Sequence, residues 1–390
     1  MCAFLASTQV VYLQAQDWPQ WQGPARDGSV PAASAPTAWP ASYSRGWRVE
    51  VGEGYASPVV AGGRVFVHSR RDPDEIVTSL DLVTGNVVWQ KRYSAAFSKN
   101  QYASGMAKGP NATPLAAGGR VFTLGVTGVL TAWDAATGAQ VWRNDYSASI
   151  DTSKLFCGTA ASPVLAGGLL IVQVGSDTKA GRILGLDPAS GTPKWTWSGL
   201  GPGYGSPVVI APDGVAQLAA ITSGSIVGID FTTGKQLWSM AFPDDWHENI
   251  VTPVWTGTAL VVSGRRQGTH AFAIAKSGAT WSVTETWKND AVTMYMSTPV
   301  IGDGVVYGFS NKQKGQFVAL DLKTGAVKWT TDGRQGEHAS MLLTPAHLVT
   351  LTNNGEMQVA RRGGGAFVAD RKYTVADSAT WAMPVVLAAI

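Results

Sequence analysis

Asp134-Ala135-Ala136-Thr137-Gly138-Ala139-Gln140-Val141-Trp142 is the stretch on which the fold turns, because its pattern Asp-x-x-Thr/Ser-Gly-x-x-x-Trp returns four more times. The other copies run from Asp81 to Trp89, Asp187 to Trp195, Asp230 to Trp238 and Asp321 to Trp329. A sixth survives in worn form as Lys276-Ser277-Gly278-Ala279-Thr280-Trp281. Self-similarity at this period marks a repeat architecture. The Asp side chain can accept hydrogen bonds from the turn backbone, the Gly takes a positive-φ position, and the Trp lies on the strand beyond, so each copy is a strand-turn-strand unit.

Ahead of each copy stands a second signature, Ser/Thr-Pro followed by two short apolar runs around a Gly-containing turn: Ser57-Pro58, Thr113-Pro114, Ser162-Pro163, Ser206-Pro207, Thr252-Pro253 and Thr298-Pro299. Each repeat therefore supplies four strands, and the spacing of roughly 44 to 56 residues suits the blades of a β-propeller. A degenerate seventh start sits at Ser340-Met341 and an eighth at Ala382-Met383-Pro384. The expected fold is all-β, an eight-bladed propeller whose last blade is cut short. Trp47-Arg48-Val49-Glu50-Val51 is expected to be an outer strand donated to that last blade, closing the ring.

Composition agrees with many short strands and tight turns: 390 residues carry Gly 45, Pro 20 and Trp 16, with only 15% charged. A formal net charge of +3 gives no concentrated basic face, so nucleic acid is not indicated. Cys2 and Cys157 form neither a metal-type pair nor a disulfide framework. Residues 1–16 read as the remnant of a signal peptide lacking its basic leader, 17–45 as an extended segment, and 46–390 as one propeller domain. No later segment approaches the roughly 20 apolar residues that span a bilayer.

The repeats resemble those of the PQQ-binding-like β-propeller family, related to quinoprotein alcohol dehydrogenases and to the propeller lipoprotein of the outer-membrane assembly machine. The resemblance covers roughly residues 46–387, and Asp17-Trp18-Pro19-Gln20-Trp21-Gln22-Gly23-Pro24 is similar to the start of exported bacterial members. It implies that Trp89, Trp142, Trp195, Trp238 and Trp329 pack between blades. It also implies a periplasmic or secreted protein, a monomer whose partner is an exported protein, a polysaccharide or a small anionic ligand.

Aligned on Ser/Thr-Pro, the repeats place non-repeating residues at one mouth of the central channel: Tyr55, Lys108, Asn111, Cys157, Tyr204, Asn249, Tyr295, Glu337, His338 and Trp381. Paired cations recur in equivalent loops, Arg70 with Arg71, Arg265 with Arg266, and Lys312 with Lys314, and a ring of them would attract an anion. PQQ, an anionic tricarboxylate, held with calcium is the cofactor of the enzymatic alternative, a quinoprotein dehydrogenase. The adjacent Cys-Cys pair that the resemblance would require is absent, and no residues here match its calcium ligands. His247-Glu248-Asn249 and Glu337-His338 set a base beside a carboxylate, but the five histidines show no metal-ligand spacing. The expected function is a non-catalytic scaffold or ligand-binding propeller with no cofactor.

Overall fold

The computed structural model describes residues 17 to 387, except 152 and 364. Among them are seven four-stranded antiparallel sheets, each with its strands paired in chain order. Blade one consists of Val59–Ala61, Arg64–Arg71, Asp74–Asp81 and Val87–Ser94. The others span 115–145, 164–199, 208–241, 254–289, 300–330 and 339–374. The protein is an all-β propeller of four-stranded blades.

Its core is divided into slabs between neighbouring blades. Phe122, Leu130 and Trp142 of blade two pack on Leu170, Val172 and Leu184 of blade three, and comparable clusters join the other consecutive pairs. The motif explains how each slab is keyed. In blade two, Asp134 Oδ1 accepts from Thr137 N–H at 2.8 Å, and Gly138 takes φ 70°. The register then shifts between Ala132 and Trp133, a bulge that turns Trp142 toward blade three. There its indole N–H donates to Pro188 O at 3.0 Å, and the ring lies 2.7 Å from where a Cβ on Gly191 would sit. Gly191 therefore serves twice, with φ 73° and a ring pressed against its missing side chain. Trp89 and Trp195 repeat the bond to Ala135 O and Phe231 O.

Blade five departs from the sequence pattern. Its outer strands, Gly268–Ser277 and Thr280–Asn289, have ten residues each, so the turn lies farther out and Trp281 misses the interblade position. Trp287 occupies it instead, donating to Leu322 O at 2.8 Å. Trp238, facing a blade without the Asp turn, donates to Gln217 Oε1 at 2.6 Å in its own blade. Trp329 packs against Phe367 of blade seven.

The eighth start has no sheet among the described residues. Its sector, between blades seven and one, is filled by Trp18, Val30, Trp39 and Met383, with Val49 and 385–387 packed alongside. Trp47 behaves as a motif Trp there: its N–H donates to Leu82 O at 3.1 Å and its ring lies 2.6 Å from a Cβ on Gly85. Residues 47–51 form no strand. The signal-peptide reading of 1–16 lies outside the described residues.

Candidate functional site

The Ser/Thr-Pro signature builds the channel wall. Ser57 N–H donates to Thr113 Oγ1, Thr113 N–H to Ser162 Oγ, Ser162 N–H to Ser206 Oγ, Ser206 N–H to Thr252 Oγ1 and Thr252 N–H to Thr298 Oγ1, all at 2.9–3.2 Å. Between blades six and seven the bond runs from Ala339 N–H to Ser297 Oγ at 3.0 Å. Met383 N–H donates to Ser57 Oγ at 2.9 Å, so the eighth start enters the same ring.

The N-terminal segment crosses the far end of this channel. Trp18 pairs with Val60 of blade one, Ala116 N–H donates to Pro19 O, and Ser29 bridges to Leu343 of blade seven. The Arg26 guanidinium donates to the carbonyls of Ser162, Pro163 and Pro207 at 2.9–3.3 Å. Above Trp21 and Gln22 remains a cavity of about 260 Å³, open at the mouth.

Of the residues picked from sequence, Tyr55, Asn111, Cys157, Tyr204, Tyr295, His338 and Trp381 line it together. Tyr55 and Trp381 have ring centroids 5.1 Å apart, and His338 stacks on Trp381 at 4.8 Å. The Tyr55 hydroxyl accepts from Ala107 N–H, the Tyr204 hydroxyl accepts from Cys157 N–H, and Tyr295 Oη donates to Glu248. Burial pushes the phenol pKa values of Tyr204 and Tyr295 well above the usual range, and raises the Cys157 thiol. Burial also lowers His338 to about 4, leaving its ring neutral at pH 7.

The paired cations do not line the cavity, which corrects the expected anion ring. They stand at the end of a second strand or in the turn that follows it, and acids or carbonyls of neighbouring loops hold most of them. Arg70 is 1% exposed, bonded to Asp72 Oδ1 and Ala95 O, and Arg71 bonds Glu50 O. Lys108 also pairs with Asp72. Arg265 donates to Glu248 Oε2 at 3.0 Å, and Arg266 lies 3.5 Å from Asp245. Lys312 donates to Ala291 O. Lys314 and Glu337 are exposed and outside the lining. Asn249 is buried, its amide spent on the carbonyls of Thr222, Ser223 and Phe242. The two base–carboxylate juxtapositions do not converge: His247 Nδ1 lies 2.7 Å from Asp177, whereas Glu248 turns to Tyr295 and Arg265.

Sequence reasoning missed Trp21, Gln22, Tyr102, Met106 and Phe156, which also line it. Tyr102 and Trp246, 69% and 41% exposed, come from loops after blades one and four and meet at 6.0 Å over the mouth. A signal for the first two was present: Trp18, Trp21 and Trp39 make residues 17–45 too aromatic for a merely extended arm.

A family profile described as outer membrane protein assembly factor BamB matches residues 38–104, 74–331 and 223–372. The protein of that name from Yersinia pestis is 27% identical over 223 residues, 54% of each chain, so the alignment spans about half of that relative's length. The Burkholderia pseudomallei (strain K96243) protein of the same name is 25% identical over 372 residues, 83% of this chain and 87% of its own. A europium-containing methanol dehydrogenase superposes with a TM-score of 0.60 at 15% identity, covering 84% of this chain and 79% of its own, a likeness of fold.

The donor set does not suit a calcium-held tricarboxylate such as PQQ. No Lys or Arg is among the lining residues, and the one lining carboxylate, Glu248, is engaged by Arg265 and Tyr295. Among the described residues no group of three or more His, Cys, Asp or Glu side chains is placed to hold a metal ion.

Proposed function

The chain belongs to the outer membrane protein assembly factor BamB family, and from that premise we propose that it is an exported, non-catalytic propeller that docks other envelope proteins. On this reading it works as a periplasmic or secreted monomer beside the proteins that assemble the outer membrane. The observation that carries the reading is the character of the mouth. Arg70, Lys108, Arg265 and Arg266 are paired with acids of the rim, whereas Tyr102 and Trp246 are presented to solvent. Aromatic residues are the side chains most enriched in protein interfaces.

Purification from a mild-detergent extract of its own cell envelope tests this. The expected result is recovery with the host's outer-membrane assembly proteins, reduced at least about tenfold by Tyr102→Ala with Trp246→Ala. Recovery without those proteins would sink the reading. Reconstitution with PQQ and calcium is expected to leave no bound redox-active quinone; alcohol-dependent dye reduction would move the protein to the dehydrogenase alternative.

A further inference from the structure

Beneath the Tyr102–Trp246 contact the cavity is chemically one-sided. Its walls present the rings of Trp21, Tyr55, Tyr204, Tyr295 and Trp381. The three tyrosine hydroxyls are held by Ala107, Cys157 and Glu248, so the rings are fixed in place. What the walls offer a cation is those rings and the Glu248 carboxylate, with no Lys or Arg among the lining residues.

The protein already treats one edge of this wall as a cation site. The Arg265 guanidinium stands 4.6 Å from the centroid of Tyr295 and 3.0 Å from Glu248 Oε2. No cation enters from the channel side, and His338, neutral when buried, adds none at pH 7. Rings and a carboxylate around a partly desolvated space are the chemistry that recognises substituted ammonium groups, because the ring quadrupoles attract the charge while the alkyl groups take up apolar surface.

We infer that the channel cavity binds an organic ammonium group, either on a free small molecule or on a lysine side chain, held between the Tyr55–Trp381 pair and the Tyr295–Glu248 pair. This goes beyond the docking reading: one concerns the channel interior and the other the rim above it, with Tyr102 common to both, and either can fail alone.

Titration calorimetry on the full chain tests it, using choline, N-acetyl-lysine methylamide, 3,3-dimethylbutanol as the uncharged isostere of choline, and citrate. The expected result is binding of at least one ammonium probe about tenfold tighter than the neutral isostere, with no competition from citrate. Preference for choline assigns the site to a free amine, and preference for the lysine probe to a peptide. Glu248→Gln weakens binding about tenfold, and Trp381→Leu does so without touching the ion pair. Arg265→Gln, which frees Glu248, strengthens it severalfold, and Lys235→Ala leaves it unchanged. Equal affinity for choline and its isostere overturns the inference. So does retained affinity in both Glu248→Gln and Trp381→Leu, or no ammonium binding at about 10 mM.

Discussion

His338 carries a pH dependence that its surroundings dictate. Trp381 stacks on the ring, Ser297 Oγ lies 3.2 Å from Nδ1, and desolvation lowers the pKa from 6.5 to about 4. Between these values the unfolded chain binds a proton that the folded chain does not, so this group lowers stability as pH falls from about 6.5 toward 4. At pH 4.5 the loss is about 2 kcal/mol relative to pH 7. Urea unfolding at both pH values is expected to show wild type losing about that much more than His338→Gln, with the carboxylates contributing to both curves alike. Identical losses would mean that the ring is protonated in place. At this scale the candidate site was half legible. Tyr55, Tyr204, Tyr295, His338 and Trp381 stand out because they vary against a repeated background just ahead of each blade start. Arg70 misled because sequence shows a charge but not Asp72, two residues on, turning back to bind it.

At the scale of elements, the inner strands are tied by side chain rather than by sheet. The hydroxyl of Thr113 accepts from Ser57 N–H in the preceding blade, and both residues are buried. Thr113→Val keeps the β-branched shape and leaves that N–H without a partner, an expected cost of about 1–3 kcal/mol. Thr113→Ser, which keeps the acceptor, is expected to cost less than half as much. Matching midpoints of denaturation for wild type and Thr113→Val would show that the N–H finds another acceptor. The Ser/Thr preference was visible in the repeats, but its partner was not, because the bond joins residues 56 apart in different sheets. Blade five shows the complementary failure. Lengthened strands move the turn, so local pattern points to Trp281 while packing uses Trp287.

For the whole molecule the decisive feature is the sector between blades seven and one, where residues 18–49 meet residues 383–387 without forming a sheet among the described residues. Met383, 6% exposed, packs with Trp18, Val30 and Trp39, and its N–H ties the eighth start to Ser57 of blade one. Met383→Asp places a carboxylate in that slab and is expected to cost at least about 3 kcal/mol, read as a lowered urea midpoint. A change under about 1 kcal/mol would show that the sector contributes little to closure. The blade motif, its period and its interblade Trp could be read from one chain, because turn geometry and hydrophobic alternation are local and every repeat restates them. The eighth start was also legible, but the outer strand expected at residues 47–51 does not form, and Trp47 alone keeps a place there, against the turn of blade one. The N-terminal segment as the channel floor, the pairing of rim cations with loop acids, and the electron-rich cavity were not. Each arises where non-repeating residues from distant parts of the chain converge, and such contacts are set by closure of the ring, which brings segments together without any local signal of their partners.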